Sequence, residues 1–241
     1  MSKTTSPSEI EHHSLKFDTD KVEDIESQRC THHHHHNKAP GEVVPTRPPP
    51  VDGSIIGILS FGAACIVISF YNCRPGGLTN GDAVIALCLT LATITQFTGG
   101  IFEMVRGSTY TGTVFLFYSM FWLSYGFILL PGVGVGASYA DQPDMLGTAL
   151  GIYFTMFTFL TFLFMIVGIR KTITLFVVLS SLDLTFLLLA LTNFTGNLAL
   201  GRAAGIVGLV PGLAAVYMGI GGLLALEPNP IIVFPQGRMR V

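Results

Sequence analysis

Charge is scarce in this chain. Of its 241 residues only 12% are Asp, Glu, Lys or Arg, against about a quarter in soluble domains, and the mean hydropathy is +0.59. From Ser54 to Leu226 the acids and bases other than tyrosine and cysteine reduce to Arg74, Asp82, Glu103, Arg106, Asp141, Asp144, Arg170, Lys171, Asp183 and Arg202. Most fall between apolar runs, the pattern of a membrane protein. A net charge of -2 supplies no concentrated basic surface for phosphates, which excludes a nucleic-acid partner. Histidine is absent from the apolar part, since all 7 lie between His12 and His36. That removes a serine-histidine intramembrane protease and any haem or zinc site built on histidine within a bundle. An aspartyl protease needs two carboxylates meeting at depth, and only Asp183 is deep enough. Neither an enzyme nor a bound cofactor or metal is expected. Cys30, Cys65, Cys73 and Cys88 are scattered over a polar tail and two apolar runs, so no disulfide framework is read. The first twenty residues lack the apolar stretch of a signal peptide, which leaves the first span as the insertion signal.

Residues 1–51 are polar and end in Arg47-Pro48-Pro49-Pro50. Such a segment buries too little apolar surface to offset its ordering entropy, so a disordered tail is expected. The run His32–His36 has the donors for a divalent ion but nothing to fix their geometry, and it is read as low-complexity sequence. Beyond it, six apolar segments reach the ~20 residues that a helix needs to cross a bilayer: 54–73, 83–105, 112–131, 146–169, 172–192 and 200–226. Continuous apolar runs without period-two alternation exclude a β-barrel. The fold class is therefore all-α, a polytopic six-helix membrane bundle over 52–227, with a short tail at 228–241.

Lys and Arg are retained on the cytoplasmic side of a membrane. Arg47, Arg106, Arg170, Lys171, Arg238 and Arg240 fall on one side of the spans, and Arg74 and Arg202 on the other. Both termini are therefore placed in the cytoplasm. Asn193-Phe194-Thr195 then falls in an outside loop as a glycosylation sequon close to the bilayer.

Ionisable groups in a bilayer are costly and usually face a bundle interior or a watery path. Gln96, Gly100 and Glu103 follow one another at spacings of four and three, one polar face of a helix that continues back through Thr93. Two readings of Glu103 stay open at this point: a functional group on that face, or a partner for Arg106 one turn later. Asp183, within Ser180-Ser181-Leu182-Asp183-Leu184-Thr185, is too deep to reach either surface and needs a partner or water; a proton-linked role is physically open. The last segment carries Gly201, Gly205, Gly208, Gly212, Ala215, Gly219 and Gly222 on a stripe of period 3.5. Such a seam lets backbones approach closely; its second reading is room for a pore.

The stretch Gln96, Glu103, Gly107-Ser108-Thr109-Tyr110 and Tyr118-Ser119-Met120-Phe121-Trp122 resembles the pattern of the succinate-acetate permease family, the acetate uptake transporters that include yeast acetate permeases. Leu150-Gly151-Ile152-Tyr153 and Asn193-Phe194-Thr195-Gly196-Asn197 are similar to two further elements of that family. Asp52 to Ile58 lacks both prolines of the family's first signature, and Thr90 to Thr93 replaces its Phe-Tyr-Gly-Gly. The resemblance implies a homohexamer with a separate pore in each protomer, narrowed at Phe61, Tyr118 and Leu182, with Ala215 tuning selectivity. Gln96, Thr109 and Asn197 would replace part of the solute's hydration, and Glu103 and Asp183 are the candidate proton-linked groups. The implied function is transport of acetate or a similar small monocarboxylate, with or without a proton, across the plasma membrane. The alternatives are a channel for a neutral solute such as ammonia, urea or acetic acid, and a membrane sensor that no longer transports.

Overall fold

A computed structural model of the chain describes residues 52–78 and 80–237. The tail at 1–51 with its His32–His36 run, and the basic residues Arg238 and Arg240, lie outside the described residues. Six helices are long and apolar enough to span a membrane: α1 (Ser54–Cys73), α2 (Asp82–Val105), α3 (Thr109–Leu129), α4 (Pro143–Gly168), α5 (Ile173–Thr195) and α6 (Leu198–Leu224). They match the six segments read from hydropathy to within about a turn at each end.

Local chemistry sets the ends. Thr172 caps α5 by accepting from the Leu175 amide, and Asn197 caps α6 by accepting from Ala199. Pro143, whose missing N–H costs nothing in a first turn, opens α4. Gly107 at φ 86° turns the chain between α2 and α3, and Gly196 at φ 66° stops α5. That stop comes later than the sequence suggested, so the sequon belongs to the last turn of α5 and not to a loop. Asn193 there donates its side-chain amide to Leu189 O at 2.8 Å.

The ends of the bundle are defined by what meets there. α1 begins, α6 ends, and the α2–α3 and α4–α5 turns lie at the terminal end. The opposite, far end holds Arg74, the α2 start, and the 130–142 connection with its single turn Val135–Ser138. After α6 the chain returns across the terminal end: Ile173 N donates to Gly237 O at 2.8 Å, and Tyr217 OH to Pro235 O at 3.0 Å.

Sequence neighbours are neighbours in space all the way round, α1 on α2, α2 on α3, α4 on α5 and α5 on α6, and α6 returns to lie along α1. α3 and α4 meet through long side chains, with Tyr110 OH on Phe164 O at 2.7 Å and Tyr153 OH with Ser124 Oγ at 2.8 Å. The ring so closed is filled by an aromatic cluster of Phe61, Tyr118, Phe121, Phe154, Phe157 and Phe186. The outer surface of α4 is apolar, with Ile152, Phe159 and Val167 exposed, a face suited to lipid or to another copy.

α2 is not a uniform α-helix. Its Cys88–Thr95 stretch is wound as a π-helix, and Thr93 Oγ1 donates to Cys88 O, five residues back, at 2.6 Å. Gln96, Gly99, Gly100 and Glu103 follow it on the buried face of the last turns.

Candidate functional site

Three helices put one large side chain each into the centre of the ring. Phe61 of α1, Tyr118 of α3 and Leu182 of α5 belong to the same buried cluster, with the Phe61 and Tyr118 ring centroids 5.7 Å apart. Tyr118 is 2% exposed and bonds Thr161 of α4 at 2.8 Å. Thr161 gives its own hydroxyl proton to Phe157 O at 2.6 Å, which makes Tyr118 the donor. That bond ties the Tyr118 hydroxyl to α4, so the ring, and not a polar tip, packs against Phe61. Ala215 of α6 is fully buried in the same cluster.

Space opens on both sides of this layer. Toward the far end, Phe61 and Leu182 line a cavity of about 30 Å³ together with Ser69, Asn72, Trp122 and Thr185. Asn72 and Tyr125 also line two wider openings of about 130 and 300 Å³ at the far end, and Arg74 stands on both. Toward the terminal end a chamber of about 270 Å³ is walled by Ile55, Ile58, Met218 and the returning chain at Val233, Phe234 and Gln236. An apolar plug between two chambers resists hydrated ions, because stripping their water is costly and an aromatic and aliphatic ring offers nothing in exchange.

The polar residues singled out in the sequence are placed apart. Gln96 is 1% and Glu103 0% exposed, and each leaves its Oε1 without a protein partner. Glu103 Oε2 accepts from Arg106 Nη2 at 3.2 Å, and Arg106 Nη1 also meets Asp52 Oδ2 at 2.6 Å. Asp52 is partly buried, which works against ionisation, but hydrogen bonds from Ser54 and the Arg106 guanidinium outweigh burial and hold its carboxyl below the usual aspartate range. Arg106 is shifted up: burial opposes its charge and the two carboxylates overcome that opposition. Asp183 is half-buried beside Leu182 with Oδ1 lacking a partner. Thr109 and Asn197 are exposed at opposite ends of the bundle, the first at the start of α3 and the second occupied as the α6 cap. Neither is brought to the central layer. Two features escaped sequence reasoning: Asp52, whose partner Arg106 is remote in the chain, and Trp122, quoted there only as part of a motif. The indole of Trp122 is buried with Nε1 unpartnered; the sole tryptophan of the chain, falling at mid-span, was the available signal.

The sequence profile of the GPR1/FUN34/yaaH family matches residues 40–240. The chain is 32% identical over 180 residues to "Ammonia transport outward protein 2" of Saccharomyces cerevisiae, a match covering 75% of this chain and 64% of the relative. It thus spans less than two thirds of that fungal relative's length. It is 31% identical over 170 residues to "Succinate-acetate/proton symporter SatP" of Escherichia coli K12, covering 70% of this chain and 86% of the relative. Among solved structures, the bacterial acetate channel SatP superposes with a TM-score of 0.67 at 26% identity, covering 77% of this chain and 99% of that one.

Proposed function

The chain belongs to the GPR1/FUN34/yaaH family, and we propose that it carries acetate, or a similarly small monocarboxylate, through the interior of each protomer. It is an integral, multi-pass membrane protein. The observation that carries the reading is the layer of Phe61, Tyr118 and Leu182 between two end chambers, in a fold shared with an acetate channel. A compact weak acid loses less hydration at such a layer than an inorganic ion does, and passes where the ion is refused. Gln96 and Glu103 each bury an acceptor without a protein partner, which supports a role for this face of α2 when a proton accompanies the solute. Thr109 and Asn197 sit at the two mouths, where polar groups ease the exchange of solute hydration. Ala215, without a side chain beyond Cβ, lies in the same buried cluster as Leu182 and is the position proposed to tune selectivity.

Both termini lie in the cytoplasm and the protein acts in the plasma membrane as a homohexamer; the basic flanks support the first statement and the exposed apolar face of α4 the last. No catalytic step is assigned to any residue. A second reading, flux of a neutral solute, is favoured by the likeness to an ammonia transport outward protein. Uptake of labelled acetate by proteoliposomes, with and without a pH gradient, separates them: accumulation driven by the gradient supports carboxylate transport, gradient-insensitive flux of ammonia supports the neutral channel, and the absence of both overturns transport. Leu182→Ala and Ala215→Phe, assayed against acetate and longer monocarboxylates, are expected to shift the size limit in opposite directions.

A further inference from the structure

The first amides of a helix have no partner within it. In α5 two of them are met from outside: Ile173 N donates to Gly237 O at 2.8 Å, and Thr174 N to Gln236 O at 3.4 Å, joined there by Thr174 Oγ1 at 3.0 Å. The segment that supplies those carbonyls, 228–237, begins at Pro228-Asn229-Pro230, where neither proline has an N–H to continue α6. Further on it is tied back to α6, with Pro235 O accepting from Tyr217 OH at 3.0 Å and the Phe234 and Tyr217 rings edge to face at 4.9 Å. These anchors all fall on 234–237, whereas Ile231, next to the prolines, is 92% exposed. The segment forms one wall of the terminal chamber of about 270 Å³. Gln236 lines that chamber, and both polar atoms of its side chain, Nε2 and Oε1, are buried without a partner. Gly221 of α6, outside the small-residue stripe, is the surface on which that side chain rests. A methyl there would meet Gln236 Nε2 and stand 2.9 Å from Phe234 Cβ, and its three nearest atoms all belong to Phe234 and Gln236.

From these placements we propose that segment 228–237 is a lid, latched on the start of α5 and the end of α6, which closes the terminal chamber and swings on its two prolines to open it. This rests on the transport reading above and gives the path a gate at its terminal end. Closure gains the bonds to Ile173, Thr174 and Tyr217. It is opposed by the Gln236 amide, because a buried polar group without a partner forfeits its hydration and recovers it once the lid lifts. The bonds gained and the hydration lost are of similar size, so closed and open forms lie close in energy and a small perturbation shifts the population between them. Gly221 is what lets the lid seat, since any larger residue would hold Phe234 and Gln236 away from α6.

Two substitutions at the lid should act in opposite directions. Gly221→Ala pushes the lid off α6, and Gln236→Leu keeps the bulk of the side chain while removing both unmatched atoms. In a Met218→Cys background, full-length protein in nanodiscs is treated with a charged, water-soluble thiol reagent, and modification at position 218, on the chamber wall, is followed by mass spectrometry. Labelling should quicken in Gly221→Ala and slow in Gln236→Leu, each by about fivefold or more, the range for overpacking a contact or relieving an unmatched polar group. Initial rates of acetate uptake by proteoliposomes should follow the same order. If Gly221→Ala does not fold, Tyr217→Phe, which removes one latch bond and keeps the ring, is expected to quicken both in its place. Equal labelling in folded variants, or faster labelling in Gln236→Leu, overturns the lid and leaves transport standing. Labelling that moves as expected while a measurable uptake stays the same overturns the gate. Labelling that moves as expected with no uptake in any variant supports the lid and removes the transport reading.

Discussion

Arg106 holds two carboxylates that the chain could not otherwise tolerate together. Glu103 has no exposure at all, and its only cation among the described residues is Arg106. Arg106→Gln therefore leaves a buried acid with neither oxygen matched. We expect a loss of about 1–3 kcal/mol, the cost of an unsatisfied buried polar group, read as a lower thermal midpoint in detergent. Adding Glu103→Gln to that variant should restore most of it, since the penalty belongs to the stranded charge and not to the missing pair. Asp52 yields a pH test. Its folded-state value lies below the ordinary 3.8, so its stabilisation is complete above the unfolded value and is lost as pH falls through the lower folded one. The stability gap between wild type and Asp52→Asn should be constant above about pH 5 and close below about pH 4, worth up to about 1 kcal/mol for so exposed a pair. A gap that widens on acidification sinks the assignment. Of this cluster the i, i+3 pair was legible in the sequence, because spacing alone fixes which helical residues meet. The bridge to Asp52 was not, because it depends on how α1 is laid beside α2.

The small-residue stripe of α6 was legible as a stripe, and the structure supplies its occupant. A methyl at Gly205 would stand 2.7 Å from both Ser69 O and Cys73 N, and one at Gly212 would stand 2.7 Å from Ile66 Cγ1. At Gly205, Gly212 and Gly219 the seam is filled by α1, so the room left at those three positions is taken up by close packing and not by a channel. In a bilayer such close approach is itself the main source of helix association, because lipid is as apolar as leucine. Gly205→Ala meets backbone atoms that cannot rotate aside, and should destabilise by about 1–3 kcal/mol. Gly136→Ala meets nothing within 4 Å and should leave the midpoint where it is; equal effects from the two would remove the packing argument. The spans themselves were legible because length and hydropathy are local properties. The π-helical stretch of α2 was not, since Asp82 to Thr95 contains neither proline nor glycine to mark a change of winding, which shows only in the folded backbone. The end of α5 was misread for a related reason: Gly196 is the stop, and the polar Asn193 ahead of it bonds its own helix.

At the scale of the whole bundle, six antiparallel helices close a ring because α6 returns to α1, and what fills the ring decides what crosses it. The filling is aromatic and aliphatic; beside it, next to Leu182 in the chain, stands the half-buried Asp183 with one oxygen unpartnered. Sequence showed that it is deep but could not show which way it faces, since period and hydropathy treat lipid and a neighbouring protomer alike. An ionised carboxylate on the path would repel the very solute proposed, and a charge held in the bilayer is costly in its own right. The proposal therefore requires that Asp183 be neutral or turned to a neighbour while acetate passes, and that its charge play no part in transport. Asp183→Asn keeps the shape and removes the charge. Uptake of labelled acetate at low pH should stay within about twofold of wild type, a change in the barrier of less than about 0.5 kcal/mol. If the variant folds, assembles and still takes up nothing, the carboxyl is itself the proton carrier, and the passive role argued here is wrong. If instead uptake persists but no longer responds to an imposed pH gradient, Asp183 couples flux to protons while Phe61, Tyr118 and Leu182 set selectivity without it.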